Sequence, residues 1–213
     1  MKPLQKLLTV AVITPLMSSA QFSAADDYTA VPDAFMYCTT CHGVEFRGNP
    51  SVDAPRLNGM EDWYLRSQMK AFRKGLRGTH PQDLTGMEMQ PQAAALDERE
   101  IDEAVAFVAS VPLRTATIEQ TVNGDADRGK SLFATCAACH GPSGQGSKVL
   151  NAPRLAGQSD WYLARQLENY RSGVRGFAAA DTAGQQMRAA ATVLTDKQDI
   201  IDVVTFINTL SVD

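Results

Sequence analysis

Five residues constrain this chain more than any others: Cys38-Thr39-Thr40-Cys41-His42, which returns as Cys136-Ala137-Ala138-Cys139-His140. Cys38 and Cys136 stand 98 positions apart, and the same offset carries Pro55-Arg56-Leu57 onto Pro153-Arg154-Leu155 and Trp63-Tyr64-Leu65 onto Trp161-Tyr162-Leu163. It also carries Arg73, Gly75, Arg77 and Gly78 onto Arg171, Gly173, Arg175 and Gly176, and Met89 onto Met187. One inserted residue after Leu194 lengthens the offset to 99, which brings Ile101 and Phe107 onto Ile200 and Phe206. The chain is therefore an internal duplication, and any fold assigned to one half holds for the other.

Each half reads as helical. Ile101, Ala104, Val105 and Val108 fall at i, i+3, i+4 and i+7, and Ile200, Val203, Val204 and Ile207 repeat the spacing, which predicts a closing helix. A middle helix is marked by Leu65, Met69 and Phe72, and by Leu163, Leu167 and Tyr170, ending at Gly75 and Gly173 as C-terminal caps. A short opening helix carries Phe35 or Phe133, and we expect Phe35 to meet Phe107 and Phe133 to meet Phe206 where first and last helices cross. No segment alternates with a period of two, so the fold class is all-α, with long loops. Halves of about ninety residues bury small cores, and a bulky group must supplement each.

The pentapeptide identifies that group. Two thiols one helical turn apart can both add to the vinyl groups along one porphyrin edge, and a histidine directly after the second thiol reaches under the ring to the iron. A zinc site, a disulfide or a thioredoxin-like pair does not require that histidine, nor a copy in each half. Cys38, Cys41, Cys136 and Cys139 thus attach two covalent haem c groups, with His42 and His140 as iron ligands. The two motifs use all four cysteines of the chain.

Methionine thioether is the sixth ligand that favours ferrous iron in an electron carrier. Met89 and Met187 each lie 48 residues after the second cysteine of their motif, in loops following Gly86 and Gly184. Met87 is a rival in the first half, but its counterpart is Gln185, so register favours Met89. His80 has Ala178 as its counterpart and is left without a role. The ligating histidines should donate their second ring N–H to a carbonyl, for which Pro55 and Pro153 are placed. Arg56, Arg77, Trp63 and Tyr64, with Arg154, Arg175, Trp161 and Tyr162, are candidates for buried haem propionates, and the aromatics among them equally for core packing.

The N-terminus has a different character. Lys2 and Lys6 precede the apolar run Leu7 to Met17, and Ser23-Ala24-Ala25 then offers small residues before Asp26 and Asp27. This is the pattern of a secretory signal peptide over 1–25, with Ser18-Ser19-Ala20 as a second cleavage candidate. A retained segment would instead tether the protein peripherally to a membrane. The expected organisation is then a first domain over 26–113, a linker over 114–125 and a second domain over 126–213. Loss of the leader removes two lysines and no acid, taking the formal charge from −4 to −6. That balance argues against nucleic acid and suits brief docking on a basic protein surface.

Taken together, CTTCHG and CAACHG, APRLNG and APRLAG, DWYLRSQM and DWYLARQL, RKGLRG and RSGVRG, and the GMEM and GQQM loops resemble the cytochrome c4 family. The resemblance covers nearly all of the chain after the leader. It implies two tandem class I cytochrome c domains, each wrapped around one covalent haem, with His/Met irons close to each other across a pseudo-twofold interface. It implies a periplasmic one-electron carrier, not an enzyme, taking electrons from a quinol-oxidising complex or a dehydrogenase and delivering them toward a terminal oxidase. Two alternatives remain open: a subunit of a periplasmic dehydrogenase, such as a flavocytochrome sulfide dehydrogenase, and a di-haem enzyme. Two matched methionines and the absence of a spare cysteine count against the last. Val44-Glu45-Phe46-Arg47 departs from the more typical Pro142-Ser143-Gly144-Gln145 of the second half.

Overall fold

A computed structural model describes residues 30–113 and 120–211. The expected leader over 1–25 and residues 114–119 of the expected linker lie outside the described residues. Within them the chain forms eight α-helices and no strand, apart from the isolated bridges Asn49 to Ala54 and Ser147 to Ala152. The first repeat contributes α1 (Met36–His42), α2 (Asp62–Arg73), α3 (Leu84–Ala94) and α4 (Glu98–Ser110). The second contributes α5 (Ala126–His140), α6 (Asp160–Arg171), α7 (Thr182–Ala191) and α8 (Lys197–Ile207). No helix among the described residues is long and apolar enough to cross a membrane.

The periodic segments form the helices they predict. Ile101, Val105 and Val108 of α4, and Ile200, Val203, Val204 and Ile207 of α8, are buried and face the two cores. Aspartates start both helices: Asp97 accepts from Glu100 N while Glu100 returns a bond to Asp97 N, and Asp196 accepts from Asp199 N. Beyond α2 and α6, Gly75 and Gly173 take φ of 66° and 80°, the left-handed termination expected of them. Phe35 meets Phe107 with centroids 6.0 Å apart, and Phe133 meets Phe206 at 5.3 Å. Phe35 sits in a 3-10 turn (Asp33–Phe35) ahead of α1, whereas Phe133 lies inside α5.

One expectation is corrected. The segments holding Met89 and Met187 are not loops but α3 and α7. Asp83 and Asp181 cap them, accepting from Gly86 N at 3.2 Å and Gly184 N at 2.9 Å. Only one glycine and one alanine are buried in each, and glycine in both and Pro91 in α3 disguise them as breaks.

The departure at Val44–Arg47 has a packing cause. Phe46 is completely buried, stands edge-on to Phe107 at 6.0 Å, and holds φ at +53°. Gly144 takes the equivalent position with φ +63°, and a Cβ there would come within 3.0 Å of Leu210. Left-handed backbone costs a non-glycine residue on the order of 1–3 kcal/mol, about what burying one phenylalanine side chain returns (roughly 1.5–3 kcal/mol). The aromatic contact then favours Phe46 by about another 0.5–1.5 kcal/mol. The two repeats fill one space differently, with Phe46 in the first and Leu210 in the second.

The second repeat is also tied down by buried carboxylates, whose counterparts in the first, Asp62, Glu100 and Glu103, are not buried. Asp160 is fully buried and accepts from Thr121 Oγ1 at 2.8 Å, Val122 N at 2.7 Å and Asn208 Nδ2 at 3.3 Å, fastening the incoming chain and the end of α8 to the start of α6. Its counterpart, Asp62, is a surface partner of Arg66. Arg128 of α5 grips both Asp199 and Asp202 of α8, and Asp202 also accepts from Asp125 N at 2.9 Å and Gln198 Nε2 at 2.8 Å. Gly129 lets the helices come this close, since a Cβ there would lie 1.9 Å from the Asp202 carbonyl oxygen.

Hydrogen bonds from the Thr195 side chain and backbone, aided by Arg128, hold Asp199 below the ordinary carboxylate range. For Asp202, burial pushes upward but is outweighed by the donors from Asp125, Arg128 and Gln198, so it too is depressed. Groups depressed on folding contribute stability above the unfolded carboxylate range and lose it as pH falls through the folded values. Asp202→Asn should therefore destabilise the second repeat by about 1.5–3 kcal/mol at neutral pH, with the deficit against wild type shrinking toward acid. Thermal unfolding across a pH series checks this.

Candidate haem sites

Cys38 and Cys41 lie on α1 and Cys136 and Cys139 on α5, in each case one turn apart and immediately ahead of the histidine that ends the helix. All four are free thiols. Burial pushes the Cys38 and Cys136 thiols up, so they rest protonated. His42 Nδ1 lies 2.8 Å from the Pro55 carbonyl oxygen, and His140 Nδ1 lies 2.7 Å from that of Pro153. A carbonyl only accepts, so Nδ1 carries the hydrogen and Nε2 keeps its lone pair. Burial lowers the pKa of both imidazoles, which keeps them neutral at neutral pH against the opposing effect of the carbonyl. Both proline acceptors expected from the sequence are thus in place.

A cavity of about 250 Å³ opens beside His140. Cys136, Cys139 and His140 form one side, Leu163, Leu167, Val203 and Ile207 supply apolar wall, and Met187 lines it from α7. α2 of the first repeat reaches it through Trp63, Tyr64 and Gln68. Met187 also packs on the core of its repeat. In the first repeat Met89 is half-buried, whereas Met87 is 47 % exposed. His80 sits apart, its ring 5.3 Å from that of Phe177 and its Nδ1 accepting from Gln82 N. Among the described residues no group of three or more His, Cys, Asp or Glu side chains could hold a metal, so a zinc site has no ligand set.

Between the repeats lies a reciprocal lattice. Arg77 donates to Gln68 of its own repeat at 2.9 Å and to Tyr162 and Gln166 of the other at 3.1 and 3.2 Å. Arg175 mirrors it, donating to Gln166 at 2.7 Å and across to Tyr64 and Gln68 at 3.0 and 2.7 Å. The guanidinium carbons lie 4.4 Å from the Phe72 ring centre and 4.6 Å from that of Tyr170. These hydrogen-bond partners are all neutral, although Arg175 is only 5 % exposed. The Arg77 Nε is buried with no hydrogen-bond partner among the described residues. A buried cation whose hydrogen-bond partners are neutral calls for an anion, and haem propionates are the anions such a cofactor brings. Cavity, donor set and waiting cations all fit haem.

Of the other residues expected near propionates, Arg56 is buried and donates to Asn58 Oδ1 at 3.0 Å, while Trp63 and Trp161 pack edge-on against Tyr64 and Tyr162. Gln68 and Gln166 keep the 98-residue offset, yet nothing in the sequence marks them as functional. Nor does the sequence mark the one-way contacts. Gln158 Nε2 donates to the Arg56 carbonyl at 3.1 Å, Arg165 pairs with Asp53, and Glu61 accepts from Arg154 N. Their counterparts differ, so the repeat gives no sign of them.

The comparisons agree with this geometry. The cytochrome c family model matches residues 31–112 and again 126–211. Cytochrome c4 of Azotobacter vinelandii is 31% identical over 98% of this chain and 99% of its own length. The chain belongs to the di-haem cytochrome c4 family. A thiosulfate dehydrogenase electron acceptor from Stutzerimonas stutzeri is 36% identical, over 84% of this chain and 86% of that protein. The solved cytochrome c4 from Pseudomonas stutzeri superposes with a TM-score of 0.63 at 26% identity, covering 83% of this chain and 95% of that one. This cytochrome c4-family chain is accordingly a di-haem electron carrier, with two covalent haem c groups attached through its two motifs. Replacing Cys136 and Cys139 together by alanine should halve the covalent haem per chain in a pyridine haemochrome assay and loosen the second repeat, whose small core closes on the haem. A full haem count would refute attachment at these sulfurs.

Proposed function

We propose that the protein is a periplasmic carrier whose two irons are held by His42 with Met89 and by His140 with Met187, passing single electrons toward a terminal oxidase. The observation that carries the reading is the placement of Met187 in the wall of the same cavity as the Cys136–His140 motif, with Met89 at the matching turn of α3. Bound haem supplies an iron that gains or loses one electron. The chain's own residues do the rest. The proline carbonyls keep each imidazole in one orientation, the thioethers favour the reduced state, and the apolar walls exclude water. Arg77 and Arg175 fasten the repeats together, so little reorganises when charge moves.

A partner would meet an uneven surface. Residues 31–112 hold twelve acidic and eight basic side chains, whereas residues 126–211 hold seven acidic and nine basic. A basic docking face is thus expected to select the first repeat, and an acidic one the second. The likeness to a thiosulfate dehydrogenase electron acceptor favours a second reading in detail, in which the donor is a periplasmic sulfur-compound dehydrogenase. This changes the source of the electrons but not the chemistry of the carrier.

Purification from the host periplasm, following haem absorbance through size exclusion and testing each peak for flavin and added subunits, separates the readings. A free carrier elutes alone with two haems per chain, whereas stable co-elution with a catalytic subunit makes it a dehydrogenase component. Met89→Ala and Met187→Ala should each abolish the methionine-to-ferric-iron absorption of one haem, and Met87→Ala should leave both. A normal spectrum for Met89→Ala would pass the ligand role to another side chain.

A further inference from the structure

The peptide that holds His140 is itself held from the other repeat. The Pro153 carbonyl accepts the imidazole Nδ1–H at 2.7 Å, and the N–H at the far end of the same peptide unit, that of Arg154, donates to both carboxylate oxygens of Glu61, at 3.0 and 3.2 Å. Amide resonance couples the two ends. An anionic acceptor on the N–H drives electron density onto the carbonyl oxygen, and that oxygen then accepts more strongly from the imidazole. An imidazole giving its Nδ1–H to a stronger acceptor is a more basic ligand through Nε2 and favours the oxidised metal.

Glu61 is placed for this and for little else. It is the N-cap of α2, a position from which side chains ordinarily accept from the first free N–H groups of their own helix, and it makes no such bond. Its carboxylate crosses to the second repeat instead. Gly146 leaves the passage open, since a Cβ there would lie 2.7 Å from Glu61 Oε1 and 2.6 Å from Arg154 N. The residue matching Glu61 in the second repeat is Ser159, which has no carboxylate to return the contact.

We propose that Glu61 is a positioning residue for electron transfer: through the Pro153–Arg154 peptide it makes His140 a more electron-rich ligand and lowers the potential of the second haem, so that one repeat tunes the iron of the other. The inference rests on His140 ligating the haem attached at Cys136 and Cys139. It makes the two redox centres unequal even where their ligands are the same.

The test is spectroelectrochemical titration of the holoprotein and its Glu61→Gln variant, with covalent haem counted in both and the two haems assigned by NMR. The variant should raise the reduction equilibrium constant of the second haem several-fold, toward the tenfold that equals about 59 mV for a one-electron couple, and move the first haem less than about twofold. The His140 Nδ1–H resonance of the reduced protein should shift upfield as its hydrogen bond weakens. Equal shifts of both haems, as loss of a negative charge acting through space would give, or an unmoved Nδ1–H resonance, would overturn the proposal. Unchanged potentials with two haems per chain would do the same while leaving the haem assignment intact. A wild-type chain with fewer than two covalent haems would instead remove the assignment beneath it.

Discussion

An imidazole that offers Nε2 to a metal has one ring atom left by which to be held, and in both repeats that atom is bonded to a proline carbonyl. Much of each site follows from this bond. The helix carrying the two thiols must end at the histidine, and the chain must leave, turn and come back thirteen residues later to place the carbonyl. That return is what the bridges Asn49 to Ala54 and Ser147 to Ala152 stabilise. Because burial keeps the ring neutral and the carbonyl fixes the tautomer, the lone pair points where the cofactor lies before the cofactor arrives. The remaining helices serve as walls, and the core of each repeat is too small to close well without the ring it surrounds.

The join between the repeats follows a different logic. Two arginines, Arg175 buried and Arg77 half-buried, lie there among glutamine, tyrosine and aromatic faces, an arrangement that is unfavourable for a guanidinium unless an anion completes it. The same atoms that fasten one repeat to the other are therefore those that call for the cofactors' carboxylates. Docking of the repeats and occupancy of the second site are energetically linked, since Tyr64 and Gln68 of the first repeat, Tyr162 and Gln166 of the second, and Arg175 between them all line the cavity beside His140. A carrier with two irons gains from this, because a rigid join keeps the path between them constant.

Much of this was legible in the sequence because a duplication displays whatever both copies need. The attachment motifs, the stripes of α4 and α8, the Phe35–Phe107 and Phe133–Phe206 contacts and the proline acceptors all recur at a fixed offset. Helices α3 and α7 recur too, yet by sequence pattern alone they read as loops. They depend on an aspartate cap and on contacts with α2 and α6 more than on an apolar stripe, and glycine and proline inside them mimic a break. Gln68 and Gln166 were visible in the offset but carry no chemistry until Arg77 and Arg175 are seen between them. Glu61, Gln158 and Asp160 were beyond reach for the opposite reason. Their counterparts Ser159, Met60 and Asp62 share neither their partners nor, in two cases, their chemistry, and a residue needed once leaves no periodic trace.

Those unshared residues are where the two halves acquire separate roles. Two identical sites at equal potential would give an electron no preferred resting place. The second repeat is fastened to the incoming chain by Asp160 and clamped by Arg128 to Asp199 and Asp202, while the first fills its core with Phe46 on strained backbone. The matched charges also differ, acidic in the first and slightly basic in the second. Internal fastening, core filling and surface charge thus diverge while the attachment motif and the proline anchor stay the same. The shared parts make each half a haem protein, and the differences between them are what can give electron flow through the pair a direction.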